Sequence, residues 1–328
     1  MNIRRKLLMA TAAGALFLSL PTWAQTATKT YALKPVKIVV AGPPAGGSDT
    51  MARLIAAELT PVLGQSVIVE NRAGAGGIIG TKYVADAAAD GHTLLLGHVA
   101  TNAIVPALVV PRPYDPVNDF EPVVQIGTAP DLLVVPSKNA PKNLAELLAR
   151  AKPDNPLTYG SPGVGLPQHI HGHSLSRASG AAMRHVPYRG SSPALIDVIS
   201  GQISMMFVTP GAAAPFIKSD QARALAVASS ERSRFFPDVP TLQELGHTGV
   251  EQQVWFGIFA PGLTPKPVID LLNAEIVKIL AKPEVRAKLE GIYTEIAPPH
   301  KADVFKAFVK GEADKWIGII KKSGITPE

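Results

Sequence analysis

Nothing in this chain narrows its possible folds as much as the run from Lys37 to Arg53, Lys-Ile-Val-Val-Ala-Gly-Pro-Pro-Ala-Gly-Gly-Ser-Asp-Thr-Met-Ala-Arg. Ile38, Val39 and Val40 are a β-branched run of the kind that fills a strand covered on both faces. From Gly42 to Gly47 side chains thin out, so another molecule can approach bare backbone. Ser48 and Asp49 are both suited to cap a helix, and Met51, Leu54, Ile55, Leu59 and Val62 then share one face at helical spacing. A strand that ends in such a turn and opens a helix leaves unpaired N–H groups and a partial positive charge aimed at one spot. That spot suits an anion. With no basic side chain in the turn, a carboxylate is expected there rather than a triphosphate.

The same unit recurs along the chain. Ser66 to Glu70 reads as a second strand, Asn71 to Gly77 as a second glycine turn, Ile78 to Ala89 as a helix, and His92 to Gly97 as a third strand leading into Thr101 and Asn102. Short buried strands alternating with helices predict a parallel sheet wound by right-handed crossovers. Val109 to Phe120 is rich in Pro and acids and reads as loop. Two apolar runs, Pro122–Ile126 and Leu132–Val135, flank Pro130-Asp131 and mark the crossing into a second domain. There Asn143 caps a helix with Glu146 at the capping-box position. Leu157 to Ser161 is a strand feeding a third glycine turn, and Arg184 to Tyr188 a strand feeding a fourth, with Pro193 at a helix start. Ile203–Val208 and Ala222–Ala228 are further strands, and Thr241 with Glu244 forms another capping box. Val250 to Ala260 is expected to return to the first domain. Helices follow over 265–280, 283–289 and 301–322. The last sets Val304, Phe305, Phe308, Val309, Trp316, Ile317 and Ile320 on one side and ends at Gly324.

The first 24 residues read as an export signal: Arg4, Arg5 and Lys6, then an apolar stretch from Leu7 to Leu20, then small-x-small at Thr22-Trp23-Ala24. Cleavage after Ala24 and delivery to a bacterial periplasm are expected. The Arg4-Arg5-Lys6-Leu7-Leu8 run also approximates a twin-arginine signal, which leaves the export route open. The chain has no Cys, hence no disulfide and no lipid-anchoring thiol. Without Arg4, Arg5 and Lys6 the formal charge falls from +6 to +3. The remaining charges are mixed, which argues against nucleic acid as a partner. No other apolar run reaches membrane-spanning length, and about 300 residues make room for two domains.

Each motif has a plainer reading. The turn Gly42–Asp49 is dense enough in special residues to favour a ligand loop over a simple tight connection, with Asp49 itself a cap or water-holder. Gly74-x-Gly-x-x-x-Gly80 is one residue off a dinucleotide fingerprint and follows the second strand, in a chain whose export separates it from NAD. Gly46-Gly-Ser48-Asp-Thr50 lacks the last glycine of a nucleophile elbow. His169, His171 and His173 read as a surface helix with adventitious metal affinity, no Cys or carboxylate completing a zinc set. Tyr188 and Arg189 bring a phenol and a guanidinium to the cleft, or else pack between domains and face solvent. Trp255-Phe256 reads as core strand.

Four ordered segments, Pro-Pro-Ala-Gly-Gly-Ser-Asp-Thr-Met-Ala-Arg53, Val-Glu-Asn-Arg-Ala-Gly-Ala-Gly-Gly77, Ala-Asp-Gly-His-Thr-Leu-Leu95 and Val-Pro-Tyr-Arg-Gly190, closely resemble the periplasmic solute receptors of the Bug/TctC type. The match continues through Tyr-Asp-Pro-Val-Asn-Asp-Phe120 and Asp-Val-Pro-Thr-Leu242. The resemblance implies an α/β, two-lobed periplasmic-binding-protein fold of type II character, each lobe a mostly parallel sheet flanked by helices. It divides the chain into residues 25–128 with 249–328 and residues 129–248. It implies a monomer that binds a small carboxylate (a di- or tricarboxylate, an acidic amino acid or an aromatic acid) through backbone N–H groups and waters. Membrane transporter subunits are the implied partners, with a sensing partner or a secreted hydrolase as the alternatives. On this sequence the first-lobe site falls on Pro44, Gly46, Gly47, Ser48 and Asp49, with Thr101 and Asn102. The second-lobe site falls on Ser161, Gly163, Gly165, Pro167 and His169, with Tyr188, Val208 and Thr209 behind. No cofactor, catalytic residue or resident metal is expected. His171, His173 and the run His98-Val99-Ala100 depart from the family's usual residues.

Overall fold

The computed structural model describes residues 31–323 apart from 32, 45, 140, 251 and 252. The export signal, its cleavage after Ala24 and the helix end expected at Gly324 lie outside the described residues. In chain order the elements begin with β1 (Val36–Val40), α1 (Gly47–Leu63), β2 (Val67–Asn71), α2 (Ile78–Ala85), β3 (Thr93–His98), the short α3 (Val105–Leu108) and β4 (Phe120–Ala129). There follow β5 (Leu132–Pro136), α4 (Leu144–Ala149), β6 (Leu157–Ser161), α5 (Pro167–Ser179), β7 (Met183–Pro187), α6 (Ser191–Ile199), β8 (Met205–Val208), α7 (Pro210–Lys218) and β9 (Ala222–Val227). The chain ends with β10 (Val254–Pro261), α8 (Lys266–Ala281), α9 (Pro283–Gly291), β11 (Glu295–Ile296) and α10 (Ala302–Ser323).

These elements build two sheets flanked by helices, ordered β11-β4-β10-β3-β1-β2 and β7-β6-β8-β5-β9. The βαβ units behave as the sequence pattern predicts: β1 runs parallel to β2 and β3, and β6 parallel to β7 and β8. The expectation of mostly parallel sheets needs correcting outside those units. β10 lies antiparallel to both β3 and β4, and β5 antiparallel to both β8 and β9. The cause is the connection between sheets. The chain leaves the first sheet at the end of β4, enters the second through β5 after only Pro130 and Asp131, and comes back through β10 with Val254 opposite Ala129. An outgoing and a returning strand side by side must run in opposite directions.

Burial explains why these segments are strands. β10 is buried at every position, and β5 alternates between two cores, Leu133 and Val135 facing one cluster and Leu132 and Val134 the other. α1 stops at Gly64, whose left-handed backbone (φ 66°) lets its N–H return to the Thr60 carbonyl. In α10 the inward face is Phe305, Val309, Ala313, Trp316 and Ile320, while Val304 and Phe308 are exposed at 59% and 37%. The expected apolar face was therefore drawn one residue-row too wide. The helix expected over 78–89 stops at Ala85, where the Ala87 N–H turns back to the Val84 carbonyl at 3.1 Å. Asn143 caps α4, its Oδ1 accepting from the Glu146 N–H at 2.9 Å. The Thr241–Glu244 box forms both of its reciprocal bonds (3.0 and 2.7 Å) but heads a turn rather than a helix, ended at Gly246 with φ 84°. Among the described residues no helix is long and apolar enough to cross a membrane.

Candidate ligand-binding site

Between the two sheets lies a cavity of about 570 Å³ whose wall is made largely of helix beginnings. Gly46, Gly47 and Ser48 come from the start of α1, Leu166, Pro167 and Gln168 from α5, Ser191 and Ser192 from α6, and Thr209, Gly211 and Ala212 from α7. None of these four helices is capped by an N-cap side chain; the cap positions are Gly46, Leu166, Gly190 and Thr209. Pro167 and Pro210 bring no N–H, and those of His169 and Ala212 return to the Leu166 and Thr209 carbonyls, so the first-turn N–H groups left for an occupant are at Gly47, Ser48, Gln168, Ser191, Ser192 and Gly211. Each helix start carries roughly half a positive charge, and in a partly buried setting such an end stabilises an anion by up to ~2 kcal/mol.

Among the described residues no Lys, Arg, Asp or Glu lines this cavity. Its titratable residue is His98, whose imidazole burial pushes down to about 4, so it is neutral at pH 7. The Ala100 N–H donates to His98 Nδ1 at 3.2 Å, which leaves the ring hydrogen on Nε2. Met51, Ala129, Val254, Phe256 and Ile292 supply an apolar remainder. An arrangement of peptide dipoles, hydroxyls and apolar surface can hold an organic anion. Ser48 sits in the first regular turn of α1 rather than on a strained strand-to-helix elbow, which removes the geometric basis for a nucleophile there.

The residues expected from sequence divide sharply. Gly46, Gly47, Ser48, Pro167 and Thr209 line the cavity together. Pro44 is exposed in the turn ahead of α1 and is not among the lining residues. Asp49 is inside α1 rather than at its cap, 4% exposed, and accepts from Arg53 Nε at 2.9 Å. Thr101 and Asn102 are wholly buried and bonded to each other at 2.8 Å, beneath Tyr114, whose hydroxyl donates to the Thr101 carbonyl. Ser161 is buried at the end of β6, 2.7 Å from His185 Nε2 and donating to the Gly163 carbonyl. Gly163 and Gly165 shape the next turn, with the Gly165 N–H donating to His169 Nδ1 at 3.0 Å. Val208 is buried core. Tyr188 turns away, donating to Asp197 Oδ2 at 2.6 Å.

The histidine expectation is also corrected. The helix is not a surface one: His169 is 8% exposed and His171 not at all. His169 stacks on His185 at 3.8 Å with 9° between the rings, and burial first, then the neighbouring histidines, pushes its imidazole down to about 4. His171 Nδ1 lies 3.2 Å from Asp131 Oδ2. Sequence reasoning passed over Gln168, Ser191, Ser192, Gly211 and Ala212. The sequence signal for Ser191 and Ser192 is Gly190-Ser-Ser-Pro193, a glycine turn opening a helix with Pro in its first turn. Phe256, read as core, has one side on the cavity while Trp255 is buried beside it and donates to Glu312 Oε2.

The chain is similar to known proteins along most of its length. The sequence profile described as "Tripartite tricarboxylate transporter family receptor" (TctC) matches residues 51–325. The UPF0065 protein in the tcbD-tcbE intergenic region of Pseudomonas sp. (strain P51) is 40% identical over 294 residues, covering 88% of this chain and 85% of its own. Among solved structures, MatC from Rhodopseudomonas palustris with bound malate aligns at 33% identity and TM-score 0.79 over 88% of this chain and all of its own. R. palustris Rpa4515 with adipate aligns at 31% identity and TM-score 0.82 over 91% of this chain and all of its own.

Proposed function

This chain belongs to the tripartite tricarboxylate transporter receptor family, TctC, and from that premise we infer that it is an extracytoplasmic solute receptor whose ligand is a small carboxylate. The observation that carries this is the meeting of four uncapped helix starts on one cavity, with no cationic side chain among the described lining residues. The carboxylate is held by peptide N–H groups at Gly47, Ser48, Gln168 and Gly211, with hydroxyls of Ser48, Ser191, Ser192 and Thr209 and bound waters completing the shell. Two lobes, residues 25–128 with 249–328 and residues 129–248, close on the ligand, which touches both and so favours the closed form. Membrane transporter subunits then recognise that form. The receptor acts as a monomer in the periplasm after cleavage of the signal following Ala24. The related receptors MatC and Rpa4515 were solved with malate and adipate, each a small carboxylate.

A thermal-shift screen of the purified chain against mono-, di- and tricarboxylates, aliphatic and aromatic, tests this. At a ligand concentration of 100 times Kd the stabilisation is about 2.7 kcal/mol, a rise of several degrees in Tm. No shift with any carboxylate, or turnover of one, would refute the proposal.

A further inference from the structure

The fold dictates how Gln168 presents itself to the cavity. Asp131 lies in the two-residue link between β4 and β5, fully buried, its carbonyl accepting from the Ala228 N–H at 2.8 Å. Its carboxylate accepts from Gln168 Nε2 with both oxygens, at 3.1 and 2.9 Å. A carboxylate has nothing to donate, so the reverse amide orientation would set Gln168 Oε1 against an acceptor in a buried site. Gln168 lines the cavity, and with Nε2 committed to Asp131 its Oε1 is the polar atom left for a ligand.

Building on the receptor function inferred above, we propose that Gln168 Oε1, oriented by Asp131, selects the far end of the ligand: the bound carboxylate carries a hydrogen-bond donor, a hydroxyl or an ammonium, rather than a second carboxylate. A donor completes the hydrogen bonding of Gln168. A second carboxylate at this wall would meet an acceptor where it needs a donor; Asp131 behind it is shared with His171, whose Nδ1 lies 3.2 Å from Oδ2, and among the described residues no Lys or Arg lines the cavity to supply the missing donor. Sites built around one buried polar partner discriminate strongly against a group that leaves it unpaired. Asp131 is here a positioning residue: it reaches the ligand through Gln168, while its Oδ2 also lies 3.2 Å from His171 Nδ1.

Calorimetric titration with matched ligands reads this directly: 4-hydroxybutyrate against succinate, 4-hydroxybenzoate against terephthalate, and 4-aminobutyrate as the ammonium arm. The donor-bearing member of each pair is expected to bind at least about tenfold more tightly. Asp131→Asn can donate as well as accept, so Gln168 is released to turn its amide nitrogen outward, and the ratio within each pair should fall by about tenfold. Loss of stability alone would weaken both members together. Gln168→Leu should bring each pair to within about threefold. Dicarboxylates that bind the unaltered protein as well as or better than their partners overturn the inference and leave the receptor function standing. A preference that survives both substitutions also overturns it. Failure of every carboxylate to bind would take down both proposals.

Discussion

Gly47 has no steric duty toward the rest of the protein: a Cβ built there meets no atom within 4 Å. A side chain at this position would enter open space at the edge of the cavity that Gly47 lines. Gly47→Val should fold with Tm within a few degrees of the parent, since valine is no poorer a helix former than the glycine it replaces and its Cβ meets nothing within 4 Å, yet raise the carboxylate Kd at least about tenfold; unchanged affinity would take the start of α1 out of the site. The histidines carry a pH prediction. Burial holds His98, His169 and His185 down to about 4 against the ordinary 6.5. The unfolded chain takes up protons in that window and the folded chain does not, so stability is full above pH 6.5 and is lost as pH falls toward 4. Urea denaturation at pH 7 and pH 5 should differ by roughly 2 kcal/mol for each histidine so held, and His185→Gln should reduce that difference. None of this was legible in His169-Ile-His171-Gly-His173 alone, because spacing on a helix says which side chains share a face and not what that face meets.

At the scale of elements, the crossing strand β10 and the helix α10 depend on one another. A Cβ at Gly257 would run into the Phe305 ring and come within 2.9 Å of the Val124 carbonyl oxygen, so the helix can seat Phe305 only over a strand with a gap at that point. Gly257→Ala should cost about 1–3 kcal/mol by overpacking, seen as a lower urea midpoint, with no direct effect on the cavity. By contrast Asn143→Ala removes only the cap of α4 and should cost about 1 kcal/mol. The capping boxes at Asn143 and Thr241 have the same sequence signal; the second closes both bonds, while at the first the Glu146 carboxylate accepts from the Lys142 N–H instead of the Asn143 N–H. Only the first heads a helix, because the second meets Gly246 before a further turn can close.

Across the whole molecule, the two sheets touch away from the cavity as well. Ile170 of α5 is buried in the core of the first sheet, and a Cβ at Gly165, where φ is 74°, would collide with Leu108 at the end of α3. Gly165→Ala should accordingly favour separation of the lobes and weaken carboxylate binding by about three- to tenfold without altering a lining residue; small-angle scattering should show a larger radius of gyration for the unliganded variant. A compact unliganded variant with unchanged affinity would contradict this. The sequence by itself determined the repeating strand–glycine turn–helix unit, the glycine-rich starts of α1 and α6 and the absence of a cation in the first turn, since these follow from local spacing and side-chain chemistry. What the tertiary structure decided was which helix starts share one cavity, that Tyr188 faces Asp197 while Ser191 and Ser192 face the cavity, and that Asp131 reaches Gln168 across 37 positions of chain. Contacts of that kind arise when two sheets are brought face to face by a two-residue link, and no local pattern encodes the partner that such a link brings near.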